Sequence, residues 1–309
     1  MSRNRFLLPF ALLTSGGFAL SQTSPKISEK TIATYEDYLV KFPEGMFSRS
    51  ARLETGKLRA AERRRGAEEA RQAAEQRAAQ DRVPRLVVSG VAMEFVRIQP
   101  GEFQMGSDSG VDDEKPSHRV RITKVFELGK HEVTQAQWEA VMGGNPSNFK
   151  GADRPVELVS WNDVQEFLGK LNARGDGYRY RLPTEAEWTY AARAGTAGDW
   201  AGNLDSVAWY RENSGTQTHP VGQKQANAWG LHDMLGNVWE WCQDWYDKEY
   251  YRSSPADDPQ GASSGEHRTR RGGGWVGVPA YVRVAYRGKG KPDGRYSDLG
   301  FRCARERFP

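Results

Sequence analysis

The first hydrophobic pattern along this chain is helical. Between residues 22 and 56, hydrophobic residues recur every three or four positions, as on one face of an α-helix. They form two groups: Tyr35, Tyr38, Leu39 and Phe42, then Phe47, Ala51 and, just beyond, Leu58. Pro43-Glu44-Gly45 separates the groups, since Pro and Gly interrupt helices. We therefore predict a helical hairpin over 22–56, similar to a tetratricopeptide-type repeat, which needs a partner or the next domain to cover its hydrophobic face.

The next segment, residues 57–83, is charged almost throughout. It consists mainly of Ala, Arg, Glu and Gln, which are strong helix formers, and Leu58 is its only long aliphatic residue before Val83. We predict a solvated helical spacer, roughly 40 Å long at 1.5 Å per residue. A coiled coil or a helix that binds a partner is the alternative.

From residue 84 to residue 309 the pattern changes to short alternating runs separated by turns. The stretch LVVSGVAMEFVRIQPGEFQMGS, with turns at Gly90 and Pro100-Gly101, predicts strand, turn and strand. Three helices are indicated by the capping residues Thr134, Ser160 and Thr184. The helix after Ser160 carries an apolar stripe of Val164, Phe167, Leu168 and Leu171. These features predict one α+β domain over 84–309.

The amino terminus has the pattern of a secretory signal peptide over residues 1–21. Arg3 and Arg5 precede an apolar run from Phe6 to Leu13, and Ala19-Leu20-Ser21 supplies small residues before the expected cleavage. The apolar run is too short to span a bilayer well, so we expect no transmembrane segment in the mature chain; an uncleaved anchor is the alternative. The prediction is an exported protein, periplasmic or extracellular.

Charge and motif content exclude several functions. The chain has 44 Lys and Arg against 40 Asp and Glu, so no single-sign surface for nucleic acid is expected. The five histidines do not have metal-binding spacing. The only cysteines, Cys242 and Cys303, either pair with each other or lie buried separately as small hydrophobic residues.

Seven blocks spread over residues 93–306 resemble, in order, the formylglycine-generating enzyme (sulfatase-modifying factor) family. The blocks are FVRIQPGEFQMGS, HEVTQAQW, RPVELVSWNDVQEFLGKLN, YRLPTEAEWTYAARAG, NAWGLHDMLGNVWEWCQDWY, RRGGGW and DLGFRCARE. The resemblance implies a loop-rich α+β fold, a variant of the C-type-lectin-like fold, here preceded by the helical hairpin and stalk.

The family's oxidase activity uses two cysteines that bind copper(I), and both are missing here. The matching positions are Gly277 and Val282, and neither residue can ligate a metal. The position that would pair with Cys303 in the family is Ala192. Copper is therefore not expected, and the family's disulfide at Cys303 is not expected either.

The resemblance also implies a structural calcium site. Its ligands would be the side chains of Asp233 and Glu240 and the backbone carbonyls of Gly236 and Val238. Calcium prefers hard oxygen ligands of this kind. Taken alone, two acids seven positions apart are more often solvated, so this expectation depends on the family.

The family's substrate groove corresponds to the stretch WVGVPAYVRVAYRG. Its candidate ligand-binding residues are Trp275, Tyr281, Arg283, Tyr286 and Arg287, which are of types enriched at binding surfaces. The alternative is a buried strand whose valines, Val276, Val278, Val282 and Val284, point inward. The tryptophans near residue 240 are expected to brace a loop-rich core.

These observations predict a cell-envelope binding or accessory module without the copper and cysteine oxidase site. Its ligand would be a protein or peptide, and the amino-terminal helices could engage a further partner. The alternative is a divergent oxidase or a maturation enzyme of the same family.

Overall fold

The computed structural model describes residues 29–45, 48–80, 83–200 and 202–308. The predicted signal peptide over 1–21 lies outside the described residues. The chain divides into two compact units, residues 1–80 and 81–309. Among the helices described, none combines the length and apolar character needed to cross a membrane.

The first unit is a pair of helices, α1 (Glu29–Lys41) and α2 (Ser48–Gln80). They contact each other, and Ile32, Ala51 and Thr55 are buried. Helix α2 is 33 residues long and continues past residue 56, where the hairpin was predicted to end. The predicted hairpin and spacer thus share one uninterrupted helix, because the residues around this point are mostly strong helix formers.

The second unit contains four further helices. They are α3 (Gln135–Met142), α4 (Trp161–Asn172), α5 (Glu185–Arg193) and α6 (Leu204–Val207). Thr134, Ser160 and Thr184 cap the first three, each accepting a hydrogen bond from a backbone N–H three residues later, as predicted. The whole predicted apolar stripe of α4 is buried.

Fourteen short strands are described in this unit. They are β1 (Leu86–Val88), β2 (Val91–Met93), β3 (Phe95–Ile98), β4 (Gly101–Met105), β5 (His118–Ile122), β6 (Phe126–Gly129), β7 (Tyr178–Arg181), β8 (Ala208–Trp209), β9 (Leu235–Gly236), β10 (Trp239–Trp245), β11 (Arg268–Arg271), β12 (Gly288–Gly290), β13 (Leu299–Gly300) and β14 (Ala304–Arg307). Two four-stranded sheets have the orders β3-β6-β14-β7 and β12-β11-β10-β13. Three strand pairs, β1-β2, β4-β5 and β8-β9, complete the set.

Two buried clusters form the core of the second unit. Trp188 is central to one and Trp241 to the other, and neither side chain is exposed. Cys242 belongs to the first cluster and Cys303 to the second, and both thiols are free. The structure therefore agrees with separate burial of the two cysteines and not with a disulfide between them.

Candidate functional site

The two positions that carry cysteine in the oxidase lie side by side. A Cβ placed on Gly277 would be 3.0 Å from Cγ2 of Val282. Val282 is fully buried within the core cluster around Trp188. The fold thus brings the two positions together as in a paired site, but fills the space with hydrocarbon, which offers neither a metal ligand nor a nucleophile.

The two existing thiols are poorly suited to replace that pair. Burial raises the pKa of Cys242 well above its ordinary value, and burial also raises the pKa of Cys303. The thiolate is the form that attacks substrates and binds metals. Both cysteines are therefore held as inert thiols.

The predicted calcium ligand Asp233 lies in a buried turn before β9. Its Oδ2 accepts a hydrogen bond of 2.6 Å from the backbone N–H of Gly222. Its Oδ1 is buried and has no hydrogen-bond partner among the described residues. A buried carboxylate oxygen without a donor is costly unless a cation compensates it, so this half of the site fits calcium.

Glu240 on β10 already has a cationic partner. Arg302 donates to both of its oxygens, at 2.6 and 2.7 Å, and the indole of Trp188 donates at 2.8 Å. The same guanidinium donates to the backbone oxygen of Asp233 at 3.1 Å. Within the described residues no cluster of three or more His, Cys, Asp or Glu has a metal-binding arrangement. Arg302 therefore neutralises the Glu240 carboxylate, whereas the Asp233 carboxylate forms no ion pair with the described residues.

Glu132 is a third acid at this place, and the sequence did not predict it. It is buried beside this turn, where it accepts from the backbone N–H of Val238 at 3.1 Å and from the Asn237 amide at 2.7 Å. Burial, followed by the neighbouring carboxylates of Asp233 and Glu240, raises the pKa of Glu132 well above its ordinary value. More than 100 positions separate it from its partners, and no local pattern indicates such a contact.

The stretch predicted as a ligand surface is a series of turns between β11 and β12, not a strand. Tyr281 is 48% exposed, and its ring centroid lies 4.9 Å from that of Tyr286. Trp275 is half-buried and donates to the backbone oxygen of Ser297 at 3.0 Å. Val276 is 40% exposed although Val282 and Val284 are buried. The buried-strand alternative is thus wrong, because the chain turns repeatedly here.

The two predicted arginines of this stretch are committed to protein partners. Arg287 is buried and donates to both oxygens of Glu185, at 2.7 and 2.9 Å. Arg283 is bound by Glu114 at 2.6 Å and approaches Asp199 at 3.4 Å. The prediction of Arg287 as a ligand contact is corrected here, because a ligand cannot reach a guanidinium held inside the core. The Arg283 side chain, in contrast, is only partly shielded from solvent.

One residue next to this surface was not predicted. Arg270 lies on β11, where strand alternation directs Arg271 into the core and Arg270 to the opposite face. Its guanidinium lies over the ring of Trp239, 4.8 Å from the centroid, and 5.6 Å from that of Tyr296. The available sequence signal for Arg270 was the Arg-Arg pair before the glycine run, but the sequence alone does not distinguish its two arginines.

Residues 83–307 match the sulfatase-modifying factor enzyme 1-like domain family. The chaperone protein LppX of Paenibacillus barcinonensis is 33% identical over 273 residues, which cover 70% of this chain and 91% of that protein. The formylglycine-generating enzyme of Streptomyces coelicolor is 33% identical over 286 residues, covering 68% and 88%. The solved structure of Treponema denticola variable protein 1 is similar with a TM-score of 0.67 and 34% identity, covering 72% of this chain and 98% of that one.

Proposed function

This chain belongs to the sulfatase-modifying factor family, and from that premise we propose that it is a non-catalytic member that binds a protein or peptide in the cell envelope. Its second unit has the loop-rich α+β fold of the family, a C-type-lectin-like variant. The observation that carries the proposal is at Gly277 and Val282, where apolar atoms occupy the position of the copper-binding pair.

The surface beside that position supports binding. Tyr281 and Tyr286 lie together, and Trp275 lines an open depression of about 550 Å³ with Tyr296 and Asp298. Tyrosine and tryptophan provide large contact areas at little entropic cost. One relative is named a chaperone protein, which is consistent with protein or peptide binding as the activity proposed for this chain.

We propose that residues 1–21 direct export, which would place the protein in the periplasm or outside the cell. The exposed positions of α2, many of them charged, are available to a partner within the proposed accessory role. A calcium ion is proposed as a structural component of the second unit. Asp233, Glu240 and the carbonyls of Gly236 and Val238 would hold it, and it would offset the charge of the buried acids.

Capture from envelope extract tests the binding proposal. We expect the full chain to retain a protein or peptide, and Tyr281→Ala to reduce retention because it removes the exposed ring of the surface. Phe308→Ala is the matched control, since Phe308 is an aromatic residue 59% exposed elsewhere in the unit. Equal retention by wild type and Tyr281→Ala would remove this surface from the proposal.

A direct assay tests the absence of the oxidase reaction. The protein is incubated with a peptide containing Cys-x-Pro-x-Arg, copper and oxygen, and aldehyde formation is followed by mass spectrometry. No aldehyde is expected, because no thiolate pair is available to bind copper(I). Aldehyde formation above a protein-free control would instead favour the divergent oxidase.

A further inference from the structure

Arg270 is a partly buried arginine of the second unit that has no carboxylate partner among the described residues. Arg271, Arg287, Arg302 and Arg305 each form an ion pair with a buried glutamate. The Arg270 side chain makes no hydrogen bond or ion pair with the residues that the structure describes, and its Nε is buried. Its two terminal nitrogens retain access to solvent, so their donors are available to a ligand.

Aromatic contacts hold this guanidinium in place. It lies over Trp239 and Tyr296, and Gly288 on the neighbouring strand β12 leaves room for it. A Cβ on Gly288 would lie 2.8 Å from Cγ of Arg270 and 2.7 Å from the Trp239 ring. A side chain fixed in this way loses little conformational freedom when it binds, so the fork of donors is preorganised.

The charge of Arg270 is not neutralised locally. Burial lowers the pKa of Arg270, with Asp298 as the main opposing influence. Asp298 forms no ion pair with Arg270 within 4 Å, and burial raises the pKa of this acid. A desolvated cation without a counter-charge favours an anionic group brought by a ligand.

The exposed aromatic rings continue on both sides of Arg270. Tyr296 is 46% exposed on one side, and Tyr286 follows Trp239 on the other, with ring centroids 6.0 Å apart. Tyr281, which contacts Tyr286, completes this row. A carboxylate at Arg270 would therefore have aromatic rings beside it, which the rest of a peptide can contact.

We infer that Arg270 is the specificity-determining residue of the binding surface, and that it binds a carboxylate of an acidic peptide through paired N–H donors. The planar guanidinium matches a carboxylate in bidentate geometry. The inference rests on the proposed function, since it names the chemistry of the peptide bound there. The carboxylate comes either from an Asp or Glu side chain or from the peptide's C-terminus.

Four pools of immobilised nine-residue peptides test the inference with the full chain. One pool carries Asp or Glu at a central position with an amidated C-terminus, and a second carries Asn or Gln there instead. A third is neutral with a free C-terminal carboxylate, and a fourth is neutral and amidated. We expect a preference of about tenfold or more for one carboxylate pool over its neutral counterpart, and the preferred pool identifies the source.

Three arginine variants separate recognition from general charge. Arg270→Gln should abolish the preference. Arg268→Gln should keep it, because Arg268 is stacked between Trp161 and Trp245 and already donates to the backbone oxygen of Gln243. Arg270→Lys should weaken the preference, because lysine keeps the charge without the planar fork.

The outcomes distinguish this inference from the proposed function. Retention of all four pools alike by wild type would overturn the role of Arg270 and leave peptide binding intact. Retention of no pool would overturn both. A preference that persists in a folded Arg270→Gln protein would also overturn the inference; if that variant does not fold, an undiminished preference in Arg270→Lys would overturn it instead.

Discussion

At the scale of single residues, the carboxylate partner of an arginine determines whether its guanidinium group is neutralised in the core or free to bind a ligand. Glu185 accepts hydrogen bonds from Arg287 and Arg271 and from the hydroxyl of Tyr251, all buried. This carboxylate therefore compensates two guanidinium groups inside the core. Arg270 neighbours Arg271 in sequence yet has no such partner, and we propose that its charge serves recognition.

Glu185→Gln should destabilise the second unit strongly. The variant leaves two buried guanidinium groups without their carboxylate, and breaking a buried ion pair costs about 3–5 kcal/mol in the free energy of unfolding. Glu102→Gln is the control, since Glu102 pairs with Arg119 on the surface, where a pair contributes about 0–1 kcal/mol. Urea unfolding measures both, and similar costs would contradict the structural role of Glu185.

The calcium proposal also belongs at this scale. Calcium should raise the melting temperature of wild type relative to a chelator, because an ion that binds the folded state stabilises it. Asp233→Asn should remove most of that shift without destabilising the calcium-free protein, since burial raises the pKa of Asp233 and an amide is neutral.

Asp293→Asn, which removes an exposed carboxylate, is the control for calcium and should keep the shift. Glu240 is less informative as a target, because removing it would leave Arg302 unpaired whether or not calcium binds. A melting curve of wild type that is the same in calcium and in chelator would show that the protein has no stabilising calcium site.

At the scale of elements, helices and strands differ in how local their determinants are. The predicted N-caps Thr134, Ser160 and Thr184 of α3, α4 and α5 are confirmed, because each cap depends on residues only three positions apart. The sheet β12-β11-β10-β13 joins strands distant in sequence, including the parallel pair β10-β13. Short strands with mostly non-local partners leave little periodic signal.

Gly288→Ala tests the packing between β12 and its neighbours. The added methyl would meet both Trp239 and Arg270 at under 3 Å, so we expect a destabilisation of about 1–3 kcal/mol from overpacking. Gly144→Ala is the matched control, because a Cβ there meets no atom within 4 Å. Chemical unfolding of the two variants is the measurement, and equal stabilities would contradict the close packing at Gly288.

At the scale of the whole molecule, the two units have separate buried residues. Ile32 and Ala51 are buried in the helical pair, whereas the two clusters around Trp188 and Trp241 belong to residues 81–309. A core of the latter size is typical of domains that fold independently.

Residues 81–309 produced alone should therefore fold cooperatively. We expect a single unfolding transition by near-ultraviolet circular dichroism, reported by tryptophans such as Trp188 and Trp241 that are buried in the core. The full chain is the comparison. A fragment that lacks near-ultraviolet signal would show that the second unit requires residues 1–80 to fold.

The family, the fold class, the helix N-caps and the lack of cysteine at 277 and 282 were all predictable from the sequence, because each depends on residue identity or on short spacing. Sequence alone did not reveal that Arg287 is buried against Glu185, 102 positions away, that Glu132 is buried beside Asn237 and Val238, or that the Arg270 side chain has no hydrogen-bond or ion-pair partner among the described residues. The physical reason is that charge compensation inside a core is a long-range contact, and two arginines with identical chemistry differ only in what the fold places beside them.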